Sequence, residues 1–240
     1  CALPISGVSI ATVSRVLNDI DVVNEDTKKK VKDAIKKLSY RPNIVARSLK
    51  TQKSSTIGII IPDISNQFYP EIVRGCEDVA NIYNYNIMLC NADLDVDKEM
   101  ESLRILKEKM IDGVIYMSNS IEDNVIRLIK ELEMPTVLVE TTDVGGIFPS
   151  VTIDNVRAAA DAVKYLADKG NKKIAYVGTA IEKVNALAKR YTGYVKGLEE
   201  MGITLDKEMV YLGGVKARDG YAGINAILDK GKIGRASCRE

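Results

Sequence analysis

This 240-residue sequence predicts an α/β protein built on parallel sheets and preceded by a small helical head. From Thr56 onward, short apolar runs alternate with helix-period segments, and parallel strands covered on both faces read as such unbroken runs. The strand starts lie about one βα unit apart, as crossover connections require. Residues 9–55, by contrast, carry helical periodicity only.

The head opens with "VSIATVSRVLN", Val8 to Asn18. Ser9 stands where an N-cap belongs. On a wheel of ~100° per residue, Thr12, Val13, Val16 and Leu17 share one half, while Ala11, Ser14, Arg15 and Asn18 share the other. A second helix starts at Asn24, a cap residue followed by two acids and then by lysines, an order that suits the helix dipole. Val31, Ala34, Ile35 and Leu38 make its apolar stripe. Tyr40-Arg41-Pro42 stops it, because proline disfavours helix in the residue before it. "NIVARSLK" is too short to hold a helix alone in water and reads as a hinge or linker.

The first β–α series starts with "TIGIIIP". A helix follows, with Ile72, Val73, Cys76, Val79, Ala80 and Tyr83 on one side. "NIMLC", "GVIYM" and "TVLV" are further strands, separated by the helical stretches "DKEMESLRILKEKM" and "IEDNVIRLIKEL". A second series opens at "SVTI" near Ser150. Asp154 caps a helix that Gly170 ends, and "KIAYVG", "VNALAKRYTGYVKGLEEMG", "MVYLGG" and "ARDGYAGINAILDKG" follow. The expected divisions are a head at 7–42, a hinge and linker at 43–55, a first lobe at 56–149 and an incomplete second lobe at 150–232. "CALPIS" and "IGRASCRE" break the surrounding pattern, so residues 1–6 and 233–240 are set aside as foreign to the fold.

Composition narrows the function. Apolar residues make up 46% and charged ones 28%, as in a globular protein, and no apolar run reaches the ~20 residues of a membrane span. No membrane partner is expected. The four cysteines show no CxxC pairing, and Cys76 and Cys90 read as reduced and buried, in a cytoplasmic protein. Histidine is absent, which removes Ser-His-Asp and Cys-His catalysis and the commonest metal ligand. No P-loop or GxGxxG follows a strand, and Val144–Gly146 reads as a loop. The expectation is a protein that is not an enzyme and needs no cofactor and no metal.

The net charge of +1 conceals an asymmetry. Residues 1–55 hold eleven Lys/Arg and five Asp/Glu, a net of +6, and the remainder carries −5. A basic head on an acidic body suits a polyanion partner, although a solvated lysine-rich face has the same charge. The polar half of the opening helix has the chemistry of a major-groove probe. Its small side chains let a helix lie deep, Ser14 and Asn18 reach phosphates or base edges, and Arg15 suits guanine. An ordinary amphipathic helix shows the same spacing.

The order of phrases separates these readings. "ATVSRVLN", "YRPNIVARSL", "IPDISNQFY", "YNI" and "DGVIYMS" follow one another, and the chain from about Gly7 to Ile224 resembles the LacI/GalR family of bacterial transcription regulators. The resemblance implies a helix-turn-helix headpiece, a hinge helix and a two-lobed, periplasmic-binding-protein-like core. The headpiece here is partial, since "CALPIS" does not resemble the family's first helix. Residues 10–18 match the recognition helix, with Ser9, Ile10, Ala11, Thr12 and Arg15 at positions that meet DNA. Ile10 offers only apolar contact, for example to a thymine methyl. "NIVARSLK" matches a hinge that enters the minor groove, with Leu49 as the wedge between bases and Asn43, Ala46 and Arg47 on the same surface.

The effector cleft of such a core lies between the lobes, at the carboxyl ends of the strands. Asp63, Ser65, Asn66 and Phe68 follow the first strand, Asn91 and Asp93 the second, and Ser118 and Asn119 the third. Arg190 matches an arginine used by sugar- and purine-responsive members. Asp63, Ser65 and Asn66 also suit a simple turn and cap. The implied partners are operator double-stranded DNA, bound as a homodimer, and either a small sugar or sugar-phosphate effector or a serine-phosphorylated phosphocarrier protein. A solute-binding protein for sugar uptake shares the core, but a basic head here stands in place of an export signal.

Overall fold

The computed structural model describes residues 7–17, 22–40, 53–179, 186–214, 216–230 and 235–236. The chain divides into two compact units, residues 1–54 and 55–240.

In the first unit, α1 (Ile10–Leu17) packs on α2 (Glu25–Lys37). The Asn24 side chain caps α2 by accepting from the Thr27 amide at 2.8 Å, as its place in the sequence predicts. Val13, Val16 and Val31 form the core, with Val8, Val23 and Ile35 against it. Leu17 and Leu38, expected on the apolar stripes, are 37% and 40% exposed. Both stand at helix ends, beyond the reach of this small knot of valines. Asn18 and the hinge positions Asn43, Ala46, Arg47 and Leu49 lie outside the described residues.

The second unit carries two parallel sheets. The first has the order β2-β1-β3-β4-β5, from β1 (Thr56–Ile61), β2 (Asn86–Asn91), β3 (Gly113–Met117), β4 (Thr136–Val139) and β5 (Ser150–Val151). The crossovers are α3 (Phe68–Ile82), α4 (Val96–Glu108) and α5 (Asp123–Leu132). Successive residues of a strand face opposite ways. Ile60 therefore joins Leu103, Leu106, Tyr116, Ile129 and Leu138 on one face, and Ile59 and Ile61 join Tyr69 and Met117 on the other. Gly58 lets α4 close on β1, since a Cβ there would stand 2.7 Å from Leu106. This is the two-sided cover that the unbroken apolar runs imply.

Several details depart from the sequence reading. "SV" at 150–151, expected to open the second series, extends the first sheet as β5, with Leu138 opposite Ser150 and Val139 opposite Val151. The Leu138 amide donates to the Pro149 carbonyl and the Glu140 amide to that of Val151, so backbone pairing rather than side-chain pattern places it. Cys76 and Cys90 are free but only half-buried. Cys90 lies on edge strand β2, and Cys76 faces a cavity of about 630 Å³ between α3 and the sheet, lined also by Ile57, Ile72, Val79, Tyr83 and Ile115. Val79 and Tyr83, read as inward, are 55% and 70% exposed, because the carboxyl half of α3 stands away from the sheet.

The second sheet has the order β7-β6-β8, from β6 (Ile174–Thr179), β7 (Val210–Gly213) and β8 (Arg235–Ala236), with α6 (Asn155–Asp168), α7 (Ala186–Glu200) and α8 (Ala217–Asp229). Asp154 caps α6 through the Arg157 amide, and Gly170, at φ +83°, ends it. Arg235 and Ala236, within the stretch set aside on pattern, form β8, which pairs with Ile174 and Ala175 of β6. Val163, Ile174, Tyr176, Tyr194 and Leu198 form the core of this lobe. Among the described residues no helix is long and apolar enough to cross a membrane.

Candidate nucleic-acid interface and ligand cleft

The first candidate site is a single helix face. Ser9 Oγ accepts from the Thr12 amide at 3.2 Å and lies 2.9 Å from Thr12 Oγ1, so the cap ties these two side chains to each other. Val13 and Val16 are buried beneath. The same tilt leaves Ala11 and Arg15 exposed, Ser14 half-buried and Ile10 exposed at 68%. An isoleucine presented to water costs favourable burial, and it gains only if an apolar surface arrives. Arg15 stands one helical turn beyond Ala11, so one strip of surface carries an apolar, a small and a cationic group. Exposed Lys29, Lys30, Lys32, Lys36 and Lys37 on α2 add the positive field expected of the head.

The second candidate site is assembled from strand ends. Asp63 Oδ1 accepts from the amide and hydroxyl of Ser65, and Asn66 Oδ1 accepts from the Phe68 amide. These three residues thus build a turn into α3. The Ser65 hydroxyl and amide hold the Asp63 carboxyl below its ordinary value. Phe68 is 44% exposed and meets Tyr69 edge-on. Asn91 Oδ1 accepts from the Ile64 amide at 2.8 Å, bringing the first two strand-end loops together. Asp93 pairs with Lys98 at 2.6 Å, which lowers its carboxyl.

Ser118 and Asn119 separate. Ser118 is buried and donates to Glu99 Oε1 at 3.1 Å. Tyr116 donates to the other oxygen of Glu99 at 2.6 Å. Burial pushes the Glu99 carboxyl up against the lowering effect of those two hydroxyls. Asn119 instead accepts from the Tyr69 hydroxyl at 3.3 Å.

Arg190 is half-buried. Its Nε donates to Asn155 Oδ1 at 2.9 Å, and its Nη2 lies 3.8 Å from Glu140 Oε2. The Tyr69 phenol is pushed up to about 12, first by burial and then by the Glu140 carboxylate, against the Arg190 guanidinium. Tyr69, Glu140, Asn155 and Arg190 therefore share one electrostatic neighbourhood. Sequence reasoning named only Arg190 of these. The rule that selected Asp63, Asn91 and Ser118 finds Glu140 as well, because it is the first residue after β4. Asn155 and Tyr69 give no such signal.

Family models match both regions: "Bacterial regulatory proteins, lacI family" over residues 5–43, and "Periplasmic binding proteins and sugar binding domain of LacI family" over residues 54–231. The chain belongs to the LacI family. Among curated LacI-family proteins, the HTH-type transcriptional regulator RegA of Clostridium saccharobutylicum is 63% identical over 227 residues, 95% of this chain and 68% of that one. Catabolite control protein A of Priestia megaterium is 41% identical over 225 residues, 94% and 68%. The crystal structure of the lac repressor dimer bound to operator and an anti-inducer aligns with 97% of this chain and 70% of its own, at a TM-score of 0.85 and 21% identity, which shows the shared fold. The α/β class, the periplasmic-binding-protein-like core and the lacI-type headpiece agree with the expectations from sequence. The curated LacI-family relatives are transcriptional regulators rather than enzymes.

Proposed function

We propose that this LacI-family chain is a sequence-specific transcriptional regulator acting in the cytoplasm, which binds a pseudo-palindromic operator as a homodimer. The observation that carries the reading is the outer face of α1: Ile10, Ala11 and Arg15 stand exposed while Val13 and Val16 anchor the helix on Val31. Such a face enters a major groove, with Arg15 toward a guanine and Ile10 toward a thymine methyl. Asn43, Ala46, Arg47 and Leu49 extend the contact into the minor groove. Exposed Val79, Ile82 and Tyr83 on α3 support a second copy as partner of the core.

The signal is either a small sugar or sugar-phosphate effector held in the cleft or a serine-phosphorylated phosphocarrier protein docked on the surface of the core. Its coupling to operator affinity is of order 1–3 kcal/mol. The test is duplex selection followed by gel shift. A selected palindrome is expected to bind tightly, with a steep salt dependence, and Arg15→Ala to weaken it by about 1–3 kcal/mol. Binding that never exceeds that of a random duplex, with or without Arg15, overturns the reading.

A further inference from the structure

We propose that Glu140 determines the specificity of the cleft: its carboxylate neutralises Arg190, and the pair takes an uncharged polyhydroxyl ligand in preference to a phosphorylated one. The inference rests on the cleft being the effector site.

Glu140 belongs to the first lobe, directly after β4, and Arg190 to α7 of the second, so their 3.8 Å approach spans the cleft. Neither side chain is free in solvent: Glu140 is 12% exposed and Arg190 30%. One further contact and one backbone angle fix the geometry. Asn155, itself 2% exposed, holds the Arg190 Nε and so fixes the guanidinium whose Nη2 faces Glu140. Glu140 sits at φ +65°, a left-handed conformation that a residue with a side chain adopts at a cost. Strain kept at a strand end beside a cleft marks a placement that the surroundings enforce.

The chemistry then selects. A guanidinium only donates hydrogen bonds and an ionised carboxylate only accepts them. A hydroxyl does both, so neighbouring hydroxyls of a sugar can accept from Arg190 and donate to Glu140. A phosphate uses the same guanidinium but meets the negative charge of Glu140, and specificity built on such a repulsive element rejects it. Tyr69 feels both Glu140 and Arg190 and remains a neutral phenol, able to hydrogen-bond an uncharged ligand.

The experiment is titration calorimetry of the protein and of Glu140→Gln and Glu140→Asp, with a panel of neutral hexoses and disaccharides and the corresponding hexose 6-phosphates. The wild type is expected to bind a neutral sugar at least about tenfold more tightly than its phosphate. Glu140→Gln should weaken the neutral sugar about tenfold and strengthen the phosphate, reversing the order. Glu140→Asp, which keeps the charge, should keep the rejection of phosphate. A wild type that prefers phosphates, or a preference unchanged in Glu140→Gln with its circular dichroism intact, overturns the assignment while leaving the cleft as the effector site. Binding of no sugar of either kind to the wild type removes the effector-site reading itself, and this inference with it.

Discussion

The first lobe buries aliphatic side chains on both faces of a five-stranded sheet, with Leu103, Leu106, Ile129 and Leu138 on one side and Ile59 and Ile61 on the other. The second lobe has a three-stranded sheet, and its core centres on Tyr176 and Tyr194, with Tyr191 packed against them. There one helix leans on another where side chains are missing. A Cβ on Gly193 would stand 2.1 Å from the Val156 carbonyl oxygen, and one on Gly197 2.8 Å from Val163. Both lobes have filled cores, and Gly58 allows one close approach in the first, but in the second a helix–helix contact depends on the missing side chains of Gly193 and Gly197. Removal of a core side chain should therefore hurt the first lobe, and addition at that contact the second.

Leu103→Ala gives the largest expected effect. Leu103 is fully buried, and the lost transfer energy plus the cavity should cost about 2–5 kcal/mol in urea unfolding. A loss under about 1 kcal/mol would mean that the first lobe collapses around the gap and is not held by its filling. Gly193→Ala comes next, at about 1–3 kcal/mol, because the atom it meets is backbone and cannot rotate aside. Gly75→Ala is the matched control on α3: nothing lies within 4 Å of the added carbon, and replacing glycine in a helix should stabilise by up to about 1 kcal/mol. Equal losses at the two glycines would break the contrast between the lobes.

The smallest effect concerns charge. Glu99 lies in the first lobe between Tyr116 and Ser118, its carboxyl raised above 4.5 chiefly by burial, with Glu122 and Asp95 adding to the rise. The folded state thus holds this proton more firmly than the unfolded state does. The associated stability is complete below 4.5 and is lost as pH climbs through the raised folded value. Glu99→Gln should flatten that part of the stability–pH curve. In the second lobe the buried Tyr194 hydroxyl donates to the Ile174 carbonyl, and burial pushes it up to about 12. Tyr194→Phe should leave the acid limb unchanged, and a change there would show that the two lobes unfold as one titrating unit.

Much of this architecture was legible because its signals are local. Ser9, Asn24 and Asp154 cap the helices they precede, and the run Ile59-Ile60-Ile61 announces a strand with two buried faces. The face of α1 needed only the helical period. What the sequence hid depends on partners far along the chain. Arg190 meets Asn155 across 35 positions and Glu140 across fifty, and no spacing rule reaches so far. The partner of the Ser118 hydroxyl, the buried Glu99 carboxyl nineteen positions earlier, gives no local signal either. Val79 and Tyr83 fit the helical stripe, but the stripe is wider than the surface it covers. The pairing of Ser150 with Leu138 comes from backbone groups, which every residue type except proline offers alike.

The close contact between α6 and α7 also bears on movement. Two helices that approach at glycines over a filled core of Val163, Tyr194 and Leu198 have little free space to slide into, so they shift as one stiff lever. Asn155 rides on the first of these helices and Arg190 on the second, joined by a hydrogen bond. A molecule that tugs on that arginine hauls the whole pair, and the displacement is delivered wherever the lever ends.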